Sequence, residues 1–146
     1  MKKLRLMVLI MAATLLSACS FLDEVNNSLD YVNTATEHIN KLNTFAEEAP
    51  QLVENALTNP EIAGQLETEL LTLKKDIEEF IALNDIPTLA KDIHQELVDK
   101  NELLLGEINK LLENGNLALD KIENSQLFST INDVTSLINR IESLGQ

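Results

Sequence analysis

Residues 59–87 read NPEIAGQLETELLTLKKDIEEFIALNDIP, and this run decides the fold class. Ile62, Leu66, Leu70, Leu73, Ile77, Phe80 and Ile81 recur at steps of mostly three and four. That spacing puts them on one face of a helix and their polar neighbours on the other. Asn59 offers an N-cap acceptor, and Pro60 suits the first helical position, where its missing N–H has no partner to lose. Asn84-Asp85-Ile86-Pro87 ends the run and opens the next, since the residue before a proline is pushed toward extended backbone.

The same pattern continues on both sides. Upstream, Leu22, Val25, Leu29, Val32, Thr36, Ile39 and Leu42 form a first stripe that fades at Glu47-Glu48-Ala49-Pro50. Pro50 is expected to interrupt the helix and open a short segment from Gln51 to Thr58. Downstream, Leu89, Ala90, Ile93, Leu97, Leu104, Ile108, Leu111 and Leu112 form a third stripe, with Asn114-Gly115-Asn116 as the turn after it. A fourth stripe comes in two pieces: Leu117, Leu119 and Ile122, then Leu127, Ile131, Val134, Ile138 and Ile141, with Ser125 as a cap for the second. Gly106 is expected to admit a close helix neighbour, and the Leu103-Leu104-Leu105 run to broaden the buried face. No stretch alternates as a strand would. The expected fold is all-α, an antiparallel bundle of about four helices, and a strict coiled-coil rod is disfavoured because no 3.5-residue period is sustained.

Ahead of the bundle, Lys2, Lys3 and Arg5 precede an apolar run from Leu6 to Leu16 broken only by Thr14, the layout of an export signal. From Leu6 to Ala18 a helix reaches roughly 20 Å, short of the ~30 Å hydrocarbon core, so the segment reads as cleaved. Its last residues, Leu16-Ser17-Ala18-Cys19, resemble the lipobox of bacterial lipoproteins. The resemblance implies cleavage between Ala18 and Cys19 and a diacylglyceryl group on the Cys19 thiol. Cys19 is the sole cysteine, so no internal disulfide competes for it. Two or more acyl chains anchor stably where a single one is marginal. Residues 1–18 are therefore expected to be a signal peptide, and residues 19–146 a single helical domain held to a membrane through Cys19.

All 24 acidic residues follow Cys19, against eight of the 11 basic ones, so the mature part carries a formal charge of −16. Such a charge repels nucleic acid and anionic headgroups, which excludes nucleic-acid binding and leaves the lipid to hold the protein at the membrane. Aromatic residues make up 3% of the chain and Trp is absent, so stacking platforms are poorly supplied.

Residues 32–42 align without gaps on residues 131–141, with Asn33/Asn132, Thr36/Thr135, Ile39/Ile138 and Asn40/Asn139 identical. Solvated asparagines on two similar amphipathic helices account for this echo, and a polar seam that sets helix register is the alternative. His38 and His94 lack the Glu-x-x-His spacing of di-iron bundles and any His-Glu-x-x-His zinc helix, and are expected to be exposed or half-buried. Acidic clusters such as Glu47-Glu48 and Glu78-Glu79 are expected to be solvated faces, since no calcium loop organises them. Nucleophile elbows, Walker loops and dinucleotide fingerprints are all missing. No catalytic residue, cofactor or metal is called for, and an enzyme is not expected.

With the lipobox, residues 25–33 (VNNSLDYVN) and residues 45–52 (FAEEAPQL), the chain is similar to small uncharacterised lipoproteins of Bacillus-type bacteria. That resemblance implies the outer face of the cytoplasmic membrane. In a Gram-negative host, Ser20 after the cysteine would instead imply the outer membrane. The expected function is a non-enzymatic interaction or structural module that engages another envelope protein, and the alternative is a bundle holding a small apolar ligand or lipid in a cavity between its helices.

Overall fold

The computed structural model describes residues 2–112, 117–122 and 124–145, with side chains from residue 26 onward. The chain runs through α1 (Lys2–Ala56), α2 (Pro60–Ile81), a 3-10 turn (Thr88–Ala90), α3 (Lys91–Leu111), α4 (Leu119–Ile122), α5 (Leu127–Thr135), α6 (Ile138–Glu142) and a closing 3-10 turn (Ser143–Gly145). The side chains of Ala18, Cys19, Leu22 and Val25, and the Asn114-Gly115-Asn116 turn, lie outside the described residues.

Side-chain pairs fix the helix directions. Lys41 meets Asp76 at 3.5 Å and His38 stacks on Phe80, so α1 and α2 are antiparallel. Lys74 donates to Asn109 at 2.8 Å while Phe80 lies against His94, so α3 reverses again. Glu96 pairs with Arg140, and the Glu107 carboxylate accepts from the Gln126 N–H, so α5 and α6 return along α3. The result is the all-α antiparallel bundle, with α5 and α6 together forming the fourth arm against α1.

Asn59 caps α2 as its sequence implies: its backbone is extended, and its Oδ1 accepts from the Glu61 N–H at 3.0 Å. Leu66, Leu70, Leu73, Ile77 and Phe80 are all buried. Ile62 and Ile81, at the two ends of the stripe, are half-buried, so the sequence pattern and the packing agree along the length of the helix.

In α1 they disagree. Pro50 sits inside the helix, which continues to Ala56. Its ring costs about 3 kcal/mol and removes the bond to the Ala46 carbonyl. Burial of Phe45, Ala49, Val53 and Ala56 offsets that cost, since a fully buried large apolar side chain contributes about 1.5–3 kcal/mol. Ile39 and Leu42 of the apolar stripe are buried as expected, but ahead of them the buried face is displaced by one residue: Leu29 is exposed, whereas Ser28, Tyr31, Ala35 and His38 are buried. Ser28, Ala35, Leu42, Ala49 and Ala56 form a strict seven-residue repeat. Most of these are small, so a reading weighted by hydrophobic bulk passes over them.

Three other expectations change. Leu103 is 67% exposed and Leu89 66%; Leu104 is buried and Leu105 half-buried, so the leucine run widens the core by one residue only. Gly106 is exposed, and among the described residues a Cβ there would meet no atom within 4 Å, so it serves no close helix approach among them. The fourth arm breaks at Ser136, whose hydroxyl donates to the Asp133 carbonyl, and the break turns Leu137 inward in place of Ile138.

Candidate functional site

The buried face of α1 carries a phenol and an imidazole one heptad apart, Tyr31 and His38. Each meets a polar partner on α3. The Tyr31 hydroxyl lies 3.3 Å from His94 Nδ1, and His38 Nε2 lies 3.0 Å from Asn101 Oδ1. Both pairs are separated by 63 residues, which holds only if α1 and α3 run parallel in a single register. Phe80 of α2 fills the space between the imidazoles, stacked on His38 at 4.2 Å between ring centroids and tilted against His94 at 5.5 Å. Tyr31 meets His94 edge to face.

Hydrogen bonding fixes the proton positions. Asn101 is fully buried, and its amide nitrogen donates to the Leu97 carbonyl at 2.8 Å, which turns Oδ1 toward α1. His38 must then carry its proton on Nε2 and donate it. Burial holds the His38 pKa below the ordinary value against the opposing Asn101 bond and Asp76 charge, and nearby Lys41 lowers it further. Burial likewise lowers His94 and pushes the Tyr31 phenol far up. Tyr31 therefore keeps its proton and donates it to the bare Nδ1 of a neutral His94. The arrangement can hold helix register and can respond to protons.

A second feature runs outside this cluster. Concavities line the outer side of the α1/α2 seam from Asn27 to Asn55, sharing Thr34, then Glu37, Lys41 and Asp76, then Glu48 and Glu69. The central one has a volume of about 630 Å³ and is floored by Phe45 and Leu73. These are open grooves on the surface, unlike the internal cavity that a ligand carrier would need.

Two comparisons bear on what the bundle is. A family described as a family of unknown function, DUF6376, matches residues 31–144. The chain belongs to that family. The uncharacterized lipoprotein YybP of Bacillus subtilis (strain 168) is 36% identical over 137 residues, covering 90% of this chain and 92% of the relative. No solved structure matches.

In this DUF6376 member the matched region opens at Tyr31 and spans every residue of the buried cluster. The sites named from sequence, Ala18 and Cys19, fall on α1 ahead of it, with side chains outside the described residues. Among the described residues, no helix is long and apolar enough to cross a membrane, and no group of three or more His, Cys, Asp or Glu could hold a metal ion. The histidines correct the sequence reading, for His38 is 5% exposed and His94 9%. The asparagines of the echo, Asn33, Asn40, Asn132 and Asn139, are all exposed, as solvated residues on two similar helices should be, and the buried polar pair between helices is instead Asn101 with His38. A signal for this lay in the sequence: the seven-residue step from Tyr31 to His38 is matched by the step from His94 to Asn101.

Proposed function

We propose that this protein is a lipid-anchored, extracytoplasmic and non-enzymatic interaction module of the cell envelope. The observation that carries the reading is Leu16-Ser17-Ala18-Cys19 at the end of a short apolar segment. It is supported by a relative of matching length that bears a lipoprotein name. In this reading the thiolate of Cys19 attacks the glyceryl carbon of a glycerophospholipid, the C–S bond forming as the C–O bond to the phosphate headgroup breaks and the headgroup phosphate leaves, and hydrolysis of the Ala18–Cys19 peptide bond then removes the chain before it. The acidic bundle stays in water beside the membrane, because its charge gives it no attraction to anionic headgroups.

A non-enzymatic role fits the site. Its two imidazoles are engaged by Asn101 and Tyr31 and packed against Phe80. The cluster then serves as a register lock that holds α1, α2 and α3 in one alignment for presentation to a partner.

Metabolic labelling with an alkyne palmitate in the native host tests the anchor. The wild-type protein should carry label and sediment with membranes, and Cys19→Ala should lose the label and leave the membrane pellet. A Cys19→Ala protein that remains labelled and membrane-bound would overturn the reading.

A further inference from the structure

We propose that the outer seam between α1 and α2 is a docking groove for a cationic amphipathic helix of a partner protein, a reading that rests on the protein being an interaction module. Three properties point to this occupant. The first is shape: the linked concavities follow two antiparallel helices from Asn27 to Asn55, roughly 42 Å at 1.5 Å per residue. A groove between two antiparallel helices suits a third laid along it.

The second property is an apolar floor. At the middle of the groove the chain presents Phe45 and Leu73 beneath a rim of short hydroxyl and amide side chains. Thr68 and Thr72 on that rim satisfy their hydroxyls on their own helix, at the Gly64 and Thr68 carbonyls, and so present methyl groups without an unpaired donor. Thr36 Oγ1, also lining the groove, is buried without a partner.

The third is charge, which selects the partner. Asp30, Glu37, Glu48, Glu69, Asp76 and Glu79 line the groove, and Lys41 is the one cation among its lining residues. Lys41 is already engaged, 3.5 Å from both Glu37 and Asp76, and Asp76 holds its ammonium above the ordinary range. A helix with an apolar stripe flanked by Lys or Arg would place its stripe on Phe45 and Leu73 and its cations against the carboxylates on both walls. An acidic helix, or an anionic membrane surface, would be repelled.

The test uses the lipidated protein in phosphatidylcholine nanodiscs and a fluorescein-labelled synthetic helix of Leu and Lys, about 18 residues or roughly 27 Å long. Fluorescence anisotropy should show binding, and the same peptide with Glu for Lys should not bind. Glu48→Lys with Glu69→Lys should weaken binding about tenfold or more, while Asp99→Lys with Asp133→Lys, an equal charge change on α3 and α5, should alter it less than about twofold. Thr72→Trp, which fills the groove without changing charge, should also weaken binding about tenfold. Equal weakening by both charge reversals would reduce the effect to overall charge and overturn the groove. So would Thr72→Trp binding as the wild type does, or a fluorescent fatty acid occupying the groove while the Lys peptide fails to bind. None of these outcomes touches membrane anchoring through Cys19, so a failed groove and a failed anchor are told apart.

Discussion

The two ends of the bundle are built from the same helices and follow different physics. At the end formed by Leu42–Ala56 of α1, Leu66–Leu73 of α2 and Leu104–Leu111 of α3, the buried side chains of these helices are all apolar. At the opposite end the same three helices bury Tyr31, His38, His94 and Asn101 around Phe80. Apolar contacts gain area without demanding a particular partner, so the first end contributes stability and little else. Hydrogen-bonded pairs contribute only about 1 kcal/mol each but penalise any register that leaves them unpaired. The second end therefore costs more to build and specifies more.

The largest expected effect breaks the apolar end. Leu70→Ala removes a fully buried side chain and should cost about 2–5 kcal/mol by urea unfolding, with the same loss at pH 7.5 and 5.5.

Acid should act on the other end. Both imidazoles are neutral in the fold with lowered pKa values, while the unfolded chain takes up protons near the ordinary value of about 6.5. The unfolded state thus binds more protons below that pH, so the stability is present above about pH 6.5 and lost as the pH falls through the lowered folded values. The slope is at most about 1.4 kcal/mol per pH unit for each imidazole. Unfolding midpoints from pH 7.5 to 5.5 should show this fall, and a His38→Leu, His94→Phe double variant should flatten it. An unchanged slope in that variant would assign the acid response to the carboxylates.

Asn101→Ala sharpens the comparison further, since it leaves the His38 Nε2–H without an acceptor and should cost about 1–3 kcal/mol. The same loss in a His38→Leu background should be smaller, which a double-mutant cycle would measure. The smallest effect has the opposite sign. Gly106→Ala, in mid-helix with open space around its Cβ, should stabilise by up to about 1 kcal/mol.

Much of the fold was legible in advance because α2 obeys the simplest rules. Its cap, its first-turn proline and its apolar face are each local signals, and tertiary packing had only to accept them. The buried cluster was less legible. His38 and His94 match no known ligand spacing, and a polar residue on an otherwise apolar stripe carries no sign of whether a partner waits across the bundle. The carboxylates of Glu67 and Glu107 show the same limit: they accept the N–H groups of Leu117 and Gln126, 50 and 19 residues away, and nothing local to either glutamate announces it.

The sequence by itself determined most of the helices, their order around short connections and the acidic surface, because periodicity, capping and charge act over a few residues. Tertiary structure alone decided that α1 runs through Pro50, that its buried face holds Ser28, Ala35 and Ala49 in place of larger neighbours, and that two histidines enter the core. Those outcomes depend on which distant surface each helix meets, since burial energy belongs to the pair of faces in contact and not to either sequence alone.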